Sequence, residues 1–143
     1  MSARTLSAAL CLGLSGLALA AGPVPARDVA PVVPLLDDSA TVLGQPLSYP
    51  TDGTAKVESV LVTMQPGEQT GLHKHPYPTY GYILQGELTV DYANGKSRIY
   101  KEGDALLEAV NMYHNGRNTG TQPARILVVF MGVDGQLNSQ KQE

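Results

Sequence analysis

Two histidines one residue apart, His73 and His75, are the residues of this chain best suited to carry chemistry. In an extended segment both side chains lie on the same face, because the side chains of a strand alternate with a period of two. Two imidazoles directed into one space supply half of a typical metal site. The only other histidine is His114, so the functional prediction depends on whether the fold brings this third ring to the pair.

The segments that must position these histidines are predicted to be short strands. Alternating or continuous apolar runs bounded by Gly, Pro, Asn or Asp fall at residues 57–64, 72–75, 79–84, 87–92, 97–101, 105–109, 113–118 and 125–131. Asn94-Gly95 is the strongest hairpin signal, because both residues tolerate the positive φ of a type I′ turn. Short strands at regular spacing without a long amphipathic pattern predict an all-β sandwich or barrel.

The spacing of the histidines resembles the two motifs of the cupins, a superfamily of small β-barrels. The first motif, G-x5-H-x-H-x(3 or 4)-E-x6-G, corresponds to Gly67, His73, His75, Thr79 and Gly86. The second motif, G-x5-P-x-G-x2-H-x3-N, corresponds to Gly103, Ala109, Asn111, His114 and Asn118. The resemblance covers roughly residues 57–131. It implies a single-domain double-stranded β-helix, or jelly-roll barrel, in which the three histidines are metal ligands.

The chain departs from these motifs in two ways. Thr79 stands where the motif has a metal-binding glutamate, and moving that position to Tyr80 would disturb the spacing to the next glycine. Ala109 and Asn111 replace the proline and glycine of a turn. Asn tolerates a left-handed backbone nearly as well as Gly does, so the turn is expected to survive. The missing glutamate bears on the chemistry of the site.

Three neutral imidazoles on one divalent transition metal would leave open positions for an anionic or bidentate ligand. Iron is the favoured metal, with zinc, manganese, nickel and copper as alternatives. Strand alternation predicts that Thr79 and Gly81 face the cavity, where Thr79 could hydrogen-bond a metal-bound water. Tyr113 directly precedes a ligand and is expected near the rim. Asp104 and Glu108 are interpreted as solvated surface residues, although either could act as an acid or base.

Several functions remain open. The first is an iron(II)-dependent dioxygenase acting on a small anionic or bidentate substrate, with an isomerase or lyase as a nearby variant. The second is a binding protein that holds a metal or small ligand without turnover, and the third is a barrel whose site is vestigial. No Ser-His-Asp arrangement can be supported, because every histidine is already assigned. Whether the protein is an enzyme therefore stays undecided at this point.

The ends of the chain carry their own predictions. Residues 1–20 read as a cleavable signal peptide, with Arg4 before an apolar run and Ala18-Leu19-Ala20 at the cleavage site; an uncleaved anchor is the alternative. The protein is then periplasmic or secreted and lacks disulfides, since Cys11 lies in the leader. Residues 21–55 are predicted to be a Pro-rich arm and loop, in which residues 32–36 could add an edge strand to a sheet or to a second subunit. Residues 56–133 form the barrel and 134–143 a frayed polar tail.

The expected partners follow from charge and from the resemblance. The formal net charge is −3, and loss of Arg4 with the leader would make it −4. Basic residues are scattered, so nucleic acid and, once the signal is cleaved, membranes are not expected partners. A small molecule is the expected ligand, and the resemblance implies a homodimer. Tyr80 and Tyr82 are predicted to point away from the cavity, towards packing or a dimer contact, and Phe130 and Met131 are predicted to lie in the core.

Overall fold

A computed structural model describes residues 30–142, and every regular element within that range is a β-strand. The strands are β1 (Ala55–Met64), β2 (His73–Lys74), β3 (Thr79–Gln85), β4 (Glu87–Tyr92), β5 (Ser97–Lys101), β6 (Ala105–Leu107), β7 (His114–Arg117), β8 (Ala124–Val133) and β9 (Gln140–Lys141). In this part of the chain, no helix has the length and apolarity needed to cross a membrane. The predicted signal peptide and Cys11 lie outside the described residues.

The strands form two antiparallel sheets. One sheet has the order β1-β8-β3-β6, and the other has the order β5-β4-β7-β2-β9. Inward-facing apolar side chains from both sheets make one core, which includes Met64, Ile83, Leu88, Val90, Leu106 and Ile126. The predicted all-β class is confirmed. The alternation that fills this core also directs polar residues at selected positions of the same strands into the interior.

The outer face of the four-stranded sheet is less covered than the inner face. Val57 and Leu61 of β1 are 70% and 50% exposed. On the same outer face, Tyr80 and Met131 line a shallow groove together with Leu36 of the N-terminal arm. Tyr80 points away from the histidines, as predicted. The core position predicted for Met131 is wrong, because alternation along β8 places it on the outer face and its neighbour Phe130 on the inner one.

Two turns behave as their residue types predict. The hairpin between β4 and β5 is closed at Asn94-Gly95, where Gly95 has a φ of 82°. Asn111 has a φ of 55° and is the only non-glycine residue with positive φ among the described residues. Its backbone N–H donates to the His75 carbonyl at 2.8 Å. The Asn in place of glycine therefore keeps the turn that joins the two histidine segments.

The C-terminal tail is ordered where the sequence predicts a frayed end. Gln140 and Lys141 form β9, which pairs with β2 opposite Lys74 and His73. The Asn138 side chain donates to Glu58 of β1 at 3.0 Å. The prediction of a frayed tail fails because backbone hydrogen bonds and polar side-chain contacts hold these residues. Such contacts do not require an apolar sequence pattern. The tail thus covers the strand that carries the histidine pair.

The N-terminal arm supports the other side of the site. Residues 31–39 form no strand, so residues 32–36 add no edge strand to a sheet of this chain. An edge strand added to a second subunit stays a prediction. The Gln45 side chain donates to the Val110 carbonyl at 2.9 Å and accepts from the Val110 N–H at 3.0 Å. Both backbone groups of Val110 are satisfied in this way. The arm therefore fixes the loop that leads from β6 to His114.

Candidate metal centre

The three histidines converge because of the register between β2 and β7. His73 lies directly opposite His114 across that strand pair, and His75 follows two residues later on the same face. The ring centroids are 4.9 Å apart for His73 and His75, 4.5 Å for His73 and His114, and 5.1 Å for His75 and His114. One ring nitrogen from each residue lies within 4.8 Å of the others. These distances fit three ligands of a single cation.

Each imidazole is oriented by a backbone carbonyl oxygen at its Nδ1. The pairs are His73 with Gly71 at 2.8 Å, His75 with Asn138 at 2.8 Å and His114 with Met112 at 2.9 Å. A carbonyl oxygen only accepts a hydrogen bond, so Nδ1 carries the proton in every ring. The lone pair is then on Nε2, which is the arrangement of metal-binding histidines supported by an outer hydrogen bond. The site is therefore preorganised for a metal.

Burial keeps these imidazoles neutral. Desolvation lowers the pKa of all three rings below the ordinary value of 6.5, and for His75 it lowers the pKa to about 4. For His73 and His75 the neighbouring histidines lower the pKa further, since a positive charge on one ring disfavours a charge on the next. Neutral imidazole is the form that binds a metal ion. At neutral pH a divalent cation can therefore bind the three Nε2 atoms without displacing a proton from them.

The histidines end a small apolar cavity of about 80 Å³ inside the barrel. Its walls are mainly Val62, Leu88, Val90, Leu106, Ile126 and Val128. Thr79 and Gly81 also line it, as predicted. A Cβ at Gly81 would stand 2.9 Å from a methyl carbon of Leu106, so glycine leaves room there for that leucine. The Phe130 ring lies on the same inner side, with its centroid 5.4 Å from that of His75.

One prediction about the surroundings of the site needs correction. Tyr113 is not among the residues that line the cavity; the Lys74 ammonium lies 5.2 Å from the centre of its ring instead. Its neighbour His114 points inward, so alternation turns Tyr113 outward. Thr79 is buried and its hydroxyl donates to the Tyr77 carbonyl at 3.2 Å. That bond occupies the only proton of the hydroxyl.

Glu108 is the functional candidate that the sequence interpretation missed. It lines the cavity with a side chain that is buried, whereas Asp104 is exposed as predicted. The Tyr92 hydroxyl donates to Glu108 Oε2 at 3.1 Å, and the same oxygen is 4.0 Å from His114 Nε2. Desolvation raises the pKa of Glu108 to about 7, against the lowering effect of the Tyr92 hydrogen bond. Strand alternation from Leu106 would have placed this carboxyl inside the barrel.

Comparison with known proteins agrees with this geometry. Residues 60–130 match the family model of the cupin domain. The chain is a cupin. Its fold is similar to an uncharacterized conserved protein with a double-stranded β-helix domain from Klebsiella pneumoniae, with a TM-score of 0.53 and 20% identity over 66% of this chain and 89% of that one. The predicted jelly-roll barrel is thereby confirmed.

Two curated proteins also share the cupin region. The chain is 34% identical to the polyketide synthase CurC of Streptomyces cyaneus over 68 residues, which cover 47% of this cupin and 44% of CurC. It is 26% identical to the cupin-domain-containing oxidoreductase virC of Hypocrea virens over 73 residues, which cover 50% of this cupin and 38% of virC. The match thus spans less than half the length of each relative.

The lowered histidine pKa values give a first prediction for the metal-free protein. A group whose folded pKa is depressed stays neutral until the pH falls through that lower value. We expect the His75 ring to titrate near pH 4 and the His73 and His114 rings to titrate below 6.5, as followed by NMR of the ring protons. Because these are the chain's three histidines, no other imidazole signal interferes. Titration of all three rings at 6.5 or above, as in the urea-unfolded control, would contradict the buried arrangement.

Proposed function

We propose that this cupin is an exported, metal-dependent enzyme of the dioxygenase type that acts on a small anionic or bidentate substrate. The observation that carries the proposal is the convergence of three imidazoles, each with its Nδ1 on a backbone carbonyl and its Nε2 lone pair free, at the end of one mainly apolar cavity. His73, His75 and His114 would hold the metal, with iron favoured among the divalent transition metals. A redox-active metal bound there would supply the electrons needed to activate dioxygen.

The protein residues define what kind of substrate fits. A cavity of about 80 Å³ admits only a small molecule or the reacting end of a larger one. Its mainly apolar walls give a low local dielectric, which strengthens the attraction between a cationic centre and a negatively charged group. The three histidine ligands carry no charge, so the metal keeps a positive charge that favours an anionic or chelating group. The relative virC is named as an oxidoreductase, which is compatible with this class of chemistry.

Export and self-association are part of the same proposal. The signal-peptide pattern of residues 1–20 supports a periplasmic or secreted protein. The exposed Val57 and Leu61, next to the groove that Tyr80 lines, support a homodimer formed through the outer face of the four-stranded sheet. Neither feature bears on the chemistry of the metal site.

Oxygen consumption tests the proposed activity. The iron(II)-loaded protein would be supplied with thiols, β-diketones, catechols and flavonols in turn, and oxygen uptake recorded with an electrode. We expect uptake with at least one class, and none when the His73→Ala variant is treated in the same way. Stoichiometric iron binding with no oxygen uptake for any class would contradict the dioxygenase and favour a cupin that binds a metal without turnover.

A further inference from the structure

A carboxylate lies one strand away from the position where the first motif lacks one. The Glu108 N–H donates to the Thr79 carbonyl at 2.8 Å, which continues the antiparallel pairing of Tyr80 with Leu107. Residues that face each other across an antiparallel pair direct their side chains to the same side of the sheet. The Glu108 side chain therefore enters the cavity beside Thr79. It comes from the end of β6, whereas Thr79 belongs to β3.

The Glu108 carboxylate and the His114 ring face each other without a direct hydrogen bond. Glu108 Oε2 is 4.0 Å from His114 Nε2, which exceeds hydrogen-bond distance. The His114 proton is on Nδ1, where it is donated to the Met112 carbonyl, so Nε2 presents a lone pair. Two ligand atoms that each bind one ion at about 2.0–2.2 Å stand no more than about 4.4 Å apart. The gap is therefore of the size that a shared cation bridges.

The described residues around Glu108 include no lysine or arginine that could balance its negative charge. Among the described residues, no lysine or arginine lies within 4.0 Å of its carboxylate, and its neighbours in the cavity are mostly apolar. A buried carboxylate without a basic partner is stable mainly when it binds a metal or stays protonated. The Tyr92 hydroxyl holds Oε2 at 3.1 Å and so fixes its distance from the histidines. Tyr92 acts here as a positioning residue.

We infer that Glu108 is the fourth protein ligand of the metal, supplying from the end of β6 the carboxylate that Thr79 does not supply from β3. This inference rests on the three-histidine site of the proposed function. A carboxylate ligand cancels one charge of a divalent cation and makes the donor set harder. Oxygen ligands suit manganese(II), whereas imidazole ligands suit nickel(II) and copper(II). Glu108 therefore sets the metal preference of the site.

Metal affinity of the isosteric variant Glu108→Gln tests this role. The metal-free full chain, Glu108→Gln and the control Glu102→Gln, whose side chain is exposed in the turn before β6, would be titrated with manganese(II) and nickel(II). Electron paramagnetic resonance follows free manganese, and calorimetry follows nickel. We expect Glu108→Gln to weaken manganese binding at least about tenfold and nickel binding much less, while Glu102→Gln matches the wild type.

The outcomes separate this inference from the proposed function. Unchanged manganese affinity in Glu108→Gln would overturn the ligand role and leave the three-histidine site intact. An equal loss for both metals would also overturn it, because a merely structural residue does not change selectivity. A wild-type chain that binds neither metal would refute the metal site itself. If Glu108→Gln does not fold, Glu108→Asp replaces it, and its shortened carboxylate should give the same selective loss of manganese.

Discussion

Replacing His114 with alanine is expected to lower the affinity for a divalent metal by more than about 100-fold. Loss of an outer hydrogen-bond partner of a metal ligand typically costs 10- to 100-fold, and loss of the ligand itself removes the bond. His114 faces His73 across the β2–β7 pair. The chain's other two histidines are already ligands, so no other imidazole can take the place of His114. The measurement is metal content by elemental analysis after exhaustive dialysis, with His73→Ala as an independent second variant.

The matched control for this prediction is Lys74→Ala. Lys74 lies between the two histidines of the pair, but its ammonium lies over the Tyr113 ring outside the cavity. We expect Lys74→Ala to retain metal like the wild type. Equal metal content in the wild type and in both histidine variants would refute the site, as would a loss of metal in Lys74→Ala as large as in His114→Ala.

Replacing Asn118 with alanine is expected to cost about 3–5 kcal/mol in the free energy of unfolding. Its side-chain amide donates to the Met64 and Gln122 carbonyls at 2.9 Å each, and its oxygen accepts from the Gly120 N–H at 3.0 Å. The residue is 2% exposed. Alanine would leave the buried Met64 carbonyl and the part-buried Gln122 carbonyl and Gly120 N–H without this partner, at about 1–3 kcal/mol for each group that water does not reach. Urea denaturation followed by circular dichroism measures the change.

A neighbouring asparagine supplies the control for Asn118. Asn115 of β7 donates from its side chain to Gln69 at 2.9 Å, but it is only half-buried. Water can satisfy the groups that Asn115→Ala releases, so the cost is expected to stay below about 1 kcal/mol. Similar denaturation midpoints for Asn118→Ala and Asn115→Ala would show that the buried amide does not join the end of β1 to the loop after β7.

The histidine site could be predicted because its information is local. The period of a strand places His73 and His75 on one face, and the motif spacing brings in His114. Asn111 was also predictable, since a left-handed turn needs Gly or Asn. The same period, applied from Leu106, would have placed Glu108 inside the barrel. The sequence interpretation misassigned it because a charged residue is usually exposed.

Other parts of the site could not be read from residue types. The His75 ring is oriented by the backbone carbonyl of Asn138, which is 63 residues away. Any residue type at that position would offer the same carbonyl, so the residue type gives no signal. The strand pairing of the tail with β2 likewise depends on backbone groups, so the polar composition of the tail predicted a frayed end. Gln45 reaches Val110 across 65 residues, and a lone glutamine in a loop gives no signal of that contact. These supports emerge only from the tertiary arrangement.

X-ray absorption spectroscopy of the metal-loaded protein tests the central claim most directly, because it counts the imidazole groups around the ion. The geometry predicts three imidazole nitrogens per metal in the wild type and two in whatever metal His114→Ala retains. One imidazole or none in the wild type, or the same number in the variant, would show that the rings of His73, His75 and His114 do not bind one cation.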